Sequence, residues 1–115
     1  MKFSVLEWMP FQPWRVAAVV EAADEVPDKL PPKCAVLVGT AEYPKWIVFD
    51  CPCKQGHRIM VPLDRNKNPH WTLQNAQRLT LIPSVDAWRG KERCHYIVND
   101  GQVHWVPKRG WLSWF

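Results

Sequence analysis

Apolar positions in this chain come in short runs, cut by prolines and polar turns. Ala35–Val38 and Trp46–Asp50 are two of them, separated by the turn-rich Gly39-Thr-Ala-Glu-Tyr-Pro. Arg58–Leu63 follows a glycine and ends at the polar stretch Asp64–Pro69, and Trp71–Leu73 and Leu79–Ile82 flank Asn75-Ala-Gln. Runs this short, rich in β-branched residues and bounded by turn formers, predict strands. Arg15–Val26 has enough Ala and Glu for a helix, yet its opening Arg-Val-Ala-Ala-Val-Val is β-branched enough to make a strand the expectation. Pro27, Pro31 and Pro32 then impose an extended or turning connection.

Near the end of the chain, Cys94–Val98 and Val103–Val106 enclose Asn99-Asp-Gly-Gln. Asp-Gly readily takes the positive φ of a two-residue hairpin turn. Such a turn sets Asn99 opposite Gln102 and Tyr96 opposite Trp105. Side chains alternate along a strand, so Cys94, Tyr96, Val98, Val103 and Trp105 share one face, read as core, while His95, Ile97, Gln102 and His104 share the other. The expected fold is mostly β: a small antiparallel β domain with little helix. It is expected over 15–107. An aromatic arm precedes it at 1–14, with Phe3, Leu6, Trp8, Met9, Phe11 and Trp14 interrupted by Pro10 and Pro13, and an aromatic tail follows at 108–115. The arm is too apolar to float free and should pack on the body or on a second copy, which would make a homodimer.

Composition narrows the class. At 115 residues the chain fits one domain, and 47% apolar content excludes full-length disorder. Eight Trp and eleven Pro leave little room for long helices. No apolar run approaches the roughly 20 residues that cross a bilayer. Met1–Phe11 carries Glu7 and Pro10 where an export signal needs a continuous apolar stretch, so a cytoplasmic location is expected. The net charge of +4 is mild and uneven, with −1 over Met1–Lys33 and +3 over Lys45–Pro69. Basic Lys54–Lys67 beside Trp46 and Trp71 raises single-stranded nucleic-acid binding as an alternative. The local charge is too modest to favour that over a solvated loop.

Cys51-Pro-Cys53-Lys-Gln-Gly-His57 carries the most chemistry. Two cysteines two residues apart at a strand end can turn their sulfurs to one side, and Gly56 permits the sharp turn that returns His57 to them. Thiolate and imidazole are good Zn2+ ligands. The fourth ligand must come from elsewhere, and Cys94-His95 is the obvious supplier. Adjacent strand residues cannot both reach one metal without a bulge. Cys94, on the core face, is therefore the expected fourth ligand, with His95 left free. Three sulfurs and one nitrogen close a site, which favours structural over catalytic zinc. Disulfides are disfavoured without an export signal, and Cys34, in an apolar stretch, reads as core.

Ser84 and His95 form a second constellation. A serine beside a free histidine becomes a nucleophile when the imidazole accepts its proton. Asp86 or Glu92 could orient that imidazole. The competing reading is that Pro83-Ser-Val-Asp is ordinary turn chemistry. His70 and His104 read as rim or packing residues.

Cys51-Pro-Cys53-x-x-Gly-His57-Arg-Ile-Met, Pro69-His-Trp-Thr-Leu, Leu79-Thr-Leu-Ile-Pro-Ser84-Val and Cys94-His95-Tyr-Ile…Asp-Gly-Gln-Val-His-Trp105 together resemble a bacterial and phage family of small zinc-binding proteins. The resemblance covers about Val19–Val106. Some members lie in operons for ubiquitin-like conjugation, beside relatives of activating and conjugating enzymes and a deconjugating peptidase. The resemblance implies a peptidase-like role on a ubiquitin-like tail, with Ser84 and His95 as the matching polar residues and Cys51 and Cys53 as metal ligands. Many members carry a cysteine where Gln55 stands, and Cys-x-Ser-His where this chain has Glu92-Arg-Cys94-His95. His57 and Cys94 would have to replace those missing cysteines. Two functions follow as expectations. The first is a zinc-stabilised β module binding a protein partner, such as a ubiquitin-like protein or its conjugation enzymes; the alternative is a small hydrolase built on Ser84 and His95.

Overall fold

The computed structural model describes residues 3–107. Nine strands form three sheets: β1 (Arg15–Val20), β2 (Cys34–Gly39), β3 (Pro44–Asp50) and β4 (Arg58–Pro62) in the first; β5 (Thr72–Asn75) and β6 (Thr80–Ile82) in the second; β7 (Val85–Arg89), β8 (Glu92–Asn99) and β9 (Gln102–Trp105) in the third. Among the described residues there is no α-helix, only single 3₁₀ turns at Val5–Trp8 and Ala23–Glu25. The mostly β expectation holds, and the strand read into the start of Arg15–Val26 is present. Two features were not anticipated. β1 pairs with β2 in parallel, although every other pairing is antiparallel, and Val85–Arg89 is a strand where the sequence suggested only a turn.

β2 explains its own sequence. Cys-Ala-Val-Leu-Val is buried at every position, because the first sheet is covered on both faces, a situation that calls for a continuous apolar run rather than alternation. One face joins the main core, where Ala35, Leu37, Ile47, Phe49, Ile59 and Val61 meet Leu81, Val85, Tyr96 and Val98 from the other sheets. The opposite face, with Val36, Val38 and Val48, is closed by Val20 and Leu30, and by Phe3 and Val26 at its margin. Cys34 is buried within β2, as expected of it.

The aromatic arm lies on its own chain. Trp14 is buried edge-on against Phe49, ring centroids 5.8 Å apart. Buried Arg15 anchors the segment before it, donating to the carbonyl of Glu7 at 2.7 Å and of Pro32 at 3.1 Å. Because these contacts are made within one chain, a homodimer through the arm has no support in this arrangement. Val5, Leu6 and Phe11 remain exposed, so the arm is covered only in part. The expected C-terminal tail at 108–115 lies outside the described residues.

The hairpin β8–β9 has the register its turn dictates, Asn99 opposite Gln102 and Tyr96 opposite Trp105. Asp100 and Gly101 take φ of 52° and 75°, the pair of positive values that matches strand twist in a two-residue turn. Gly101 is also a junction: its carbonyl accepts from Trp14 N–H at 2.9 Å, and its own N–H donates to Leu79 O at 3.0 Å. A Cβ there would come within 2.6 Å of Pro13 Cβ, so glycine is required by both conformation and space.

Candidate active site and metal centre

Two clusters of reactive side chains meet at β8, one on each face. The first begins in the β3–β4 hairpin. These strands pair as far as Asp50 opposite Arg58, so residues 51–57 form the closing loop. Cys51 N–H donates to His57 O at 3.0 Å and Lys54 N–H to Cys51 O at 3.1 Å. Gly56, at φ 87°, makes the reversal, and His57 returns with Nδ1 3.5 Å from Cys53 Sγ.

Cys94 reaches this loop from the facing sheet. Strand alternation buries Cys94, Tyr96 and Val98 and turns the residues between them outward. The ligand atoms of Cys51, Cys53, His57 and Cys94 all lie within 4.8 Å of one another. Tetrahedral zinc–sulfur bonds of about 2.3 Å would place the sulfurs roughly 3.8 Å apart, within reach of small side-chain adjustments. All four cysteines of the chain are free thiols. Burial, and then the neighbouring Cys53 and Cys51 sulfurs, pushes the Cys94 thiol up to about 12, and burial raises Cys51 in the same direction. His57 Nε2 is buried beside these sulfurs without a hydrogen-bond partner, and the buried Tyr96 hydroxyl lies against Cys51. Crowded sulfurs that resist ionisation, next to an unsatisfied imidazole, are the environment a cation relieves, since the metal ligand is the thiolate. The four residues fit a metal ion and could hold one.

On the other face, Ser84 Oγ and His95 Nε2 are 2.9 Å apart. Ser84 immediately precedes β7, and β7 pairs with β8 so that Asp86 stands directly opposite His95. The Trp71 indole N–H donates to Ser84 O at 3.2 Å, holding the serine backbone from the side of the second sheet. Both members of the pair are half-buried. No sequence signal marked the role of Trp71, because it depends on the β4–β5 connection returning to this point.

Of the two carboxylates considered as orienters, the register separates them. Glu92 shares the Cys94 face of β8 by alternation and points away from His95. Asp86 shares the His95 face. Arg93 grips its carboxylate through both oxygens, at 2.8 Å and 2.6 Å. That hydrogen bonding, assisted by the positive charge of Arg93 and of His95, holds the Asp86 carboxyl below the usual carboxylate range. Asp86 is therefore committed to Arg93, with His95 directly across the strand pair. His70 bonds Lys67 O at 3.0 Å and His104 is exposed across from Ile97; neither joins the metal cluster.

A family model described as bacterial ubiquitination-like system serine protease (BubE) matches residues 22–106. The chain belongs to this family. No curated protein and no solved structure matches it. Membership places the chain in a bacterial ubiquitination-like system, in agreement with the resemblance carried by the Cys-Pro-Cys and Cys-His-Tyr motifs. Both clusters lie inside the matched span, and so does every strand except β1. No helix among the described residues is long and apolar enough to cross a membrane.

Proposed function

We propose that this protein is a serine-type hydrolase that cleaves the tail linkage of a ubiquitin-like protein, with Ser84 as nucleophile and His95 as general base. The observation that carries the reading is the 2.9 Å separation of Ser84 Oγ and His95 Nε2, within the range required for proton transfer. It reverses the order in which the sequence ranked the two classes. The description of the family as a serine protease points the same way.

In this mechanism His95 Nε2 takes the Ser84 proton as Oγ attacks the scissile carbonyl carbon. The resulting imidazolium returns that proton to the departing amine or alcohol as the carbon–heteroatom bond breaks, leaving an acyl-serine. Water then attacks the ester with His95 again as base, releasing the carboxylate and restoring Ser84. Asp86, held by Arg93, places a carboxylate opposite the imidazole. Cys51, Cys53, His57 and Cys94 would hold zinc, a closed three-sulfur, one-nitrogen set that supplies a structural cross-link.

Treatment with a fluorophosphonate, followed by mass spectrometry, tests the nucleophile: the adduct is expected on Ser84 and absent from His95→Ala. Incubation with a ubiquitin-like protein carrying a C-terminal extension tests the reaction, with cleavage lost in Ser84→Ala. Cleavage that survives in Ser84→Ala would overturn the assignment. The second reading, a zinc-stabilised module that only binds such a protein or its conjugation enzymes, draws on the exposed Val5, Leu6 and Phe11 of the arm. It predicts binding with no cleavage and no adduct.

A further inference from the structure

A groove of about 360 Å³ lies between the second and third sheets, and its lining includes residues two positions from Ser84 and from His95. Its floor is formed by buried Leu81 and Val98, and its walls by Ile82 and Ile97. Ile82 and Ile97 are 47% and 43% exposed, a pair of large aliphatic side chains that the fold leaves open to water. Their placement is set by the strands that carry the pair. Ile82 lies two residues before Ser84. Ile97 lies two residues after His95 on β8, so the two share a face. Gln74, Thr80, Asn99 and His104 line it as well, and no Asp, Glu, Lys or Arg does.

We propose that this groove is the subsite for the substrate residue on the acyl side of the scissile bond, and that it takes an uncharged aliphatic side chain. The inference rests on the hydrolase reading above and adds the class of residue it accepts. Three observations carry it. Its two open aliphatic side chains each stand two residues along the chain from the nucleophile or the base. Its volume is at the lower end of ordinary ligand sites, which are concave and mostly apolar with a few polar groups. Its lining sets four aliphatic side chains together and holds no carboxylate, ammonium or guanidinium to pair with an ionised side chain, so an aliphatic residue gains the most by entering. The ester panel below tests the acyl-side assignment, because its members differ on that side alone.

The test uses the full chain and p-nitrophenyl esters of N-acetyl-leucine, N-acetyl-aspartate and N-acetyl-lysine, which share one leaving group and differ only on the acyl side. Rates are corrected with Ser84→Ala for background hydrolysis. The leucine ester is expected to be favoured in kcat/KM by roughly 10-fold or more, the scale of discrimination by an apolar pocket. Ile97→Glu, at a half-exposed position that tolerates a polar side chain, is expected to move the preference toward the lysine ester. Equal rates across the panel, or a leucine preference unchanged in Ile97→Glu, would overturn the subsite while fluorophosphonate labelling of Ser84 stands. Failure of that labelling would overturn the hydrolase reading, and the subsite with it.

Discussion

The two faces of β8 carry neighbouring residues into opposite environments. Cys94 and Tyr96 point into a closed core with Cys51, Cys53 and His57, while His95 and Ile97 point outward beside Ser84 and a groove. The inner face meets the β3–β4 hairpin through four side chains that could hold a metal ion. The outer face is half-exposed and accessible. A strand suits this division because successive side chains diverge by design: the inner contacts fix the position and twist of β8, and the outer histidine inherits that position. A helix would have placed adjacent residues on overlapping surfaces.

The sharpest way to break this comparison is to alter one face and read both. Ser84→Ala and His95→Ala should each lower tail cleavage by about 10³-fold or more, with metal content and thermal midpoint unchanged. Loss of metal in His95→Ala, measured by elemental analysis, would place a ligand on the wrong face.

Cys94→Ser reads the opposite way. Metal content should fall, and stability to denaturant should fall by several kcal/mol, because metal binding energy is folding energy. Cleavage should fall as well, since His95 shares the strand that loses its anchor. Chelation of the wild type should reproduce all three effects. Full activity in a metal-free sample would separate the two faces.

Tyr96→Phe offers a finer test of the inner face. It removes a buried hydroxyl that lies beside the Cys51 thiol. In the metal-free chain the change should be close to neutral, since a thiol is a weak hydrogen-bond partner. In the loaded chain, metal affinity should weaken by about 10- to 100-fold if the phenol donates to a thiolate. Cobalt(II) titration reads the affinity, and the cobalt–thiolate absorption reads the environment independently of activity.

Two smaller effects lie away from the metal. Burial raises the Cys34 thiol from 9.0 to about 11. A group whose pKa is raised by folding binds its proton more tightly in the folded state, so its contribution is fully present below about 9 and is lost as pH rises toward about 11. Urea midpoints measured across that window should decline, and the decline should be shallower in Cys34→Ala. Asp86 has the opposite sign. Its pKa is lowered by Arg93, so its contribution is present at neutral pH and disappears as pH falls below the unfolded value of 3.8. The pair is partly exposed, and Asp86→Asn should cost no more than about 1 kcal/mol at neutral pH.

Much of this comparison was legible in the sequence. The alternation around Asp100-Gly101 set the inner and outer residues of β8, because a two-residue turn leaves one register. The Cys51–His57 spacing with Gly56 announced a loop closing on itself. The β7 strand was hidden because Val85-Asp-Ala-Trp-Arg follows Pro83-Ser84, whose turn chemistry masks a short, partly polar strand. The exposure of Phe11 was equally hidden: apolarity indicates a tendency to be covered, without naming the surface that covers it.

The chain by itself determined what alternation, turn residues and local spacing encode: every strand but β7, the β8–β9 register, and three of the four candidate ligands within one loop. Tertiary structure decided what depends on distant segments meeting. It brought Cys94 to the loop, paired β1 with β2 in parallel, and set Ser84 against His95 through the β7–β8 register and the Trp71 hydrogen bond. The physical reason is range. Backbone preferences act over a few residues, whereas a nucleophile and its base, or the last ligand of a metal, are joined only by the packing of a shared core.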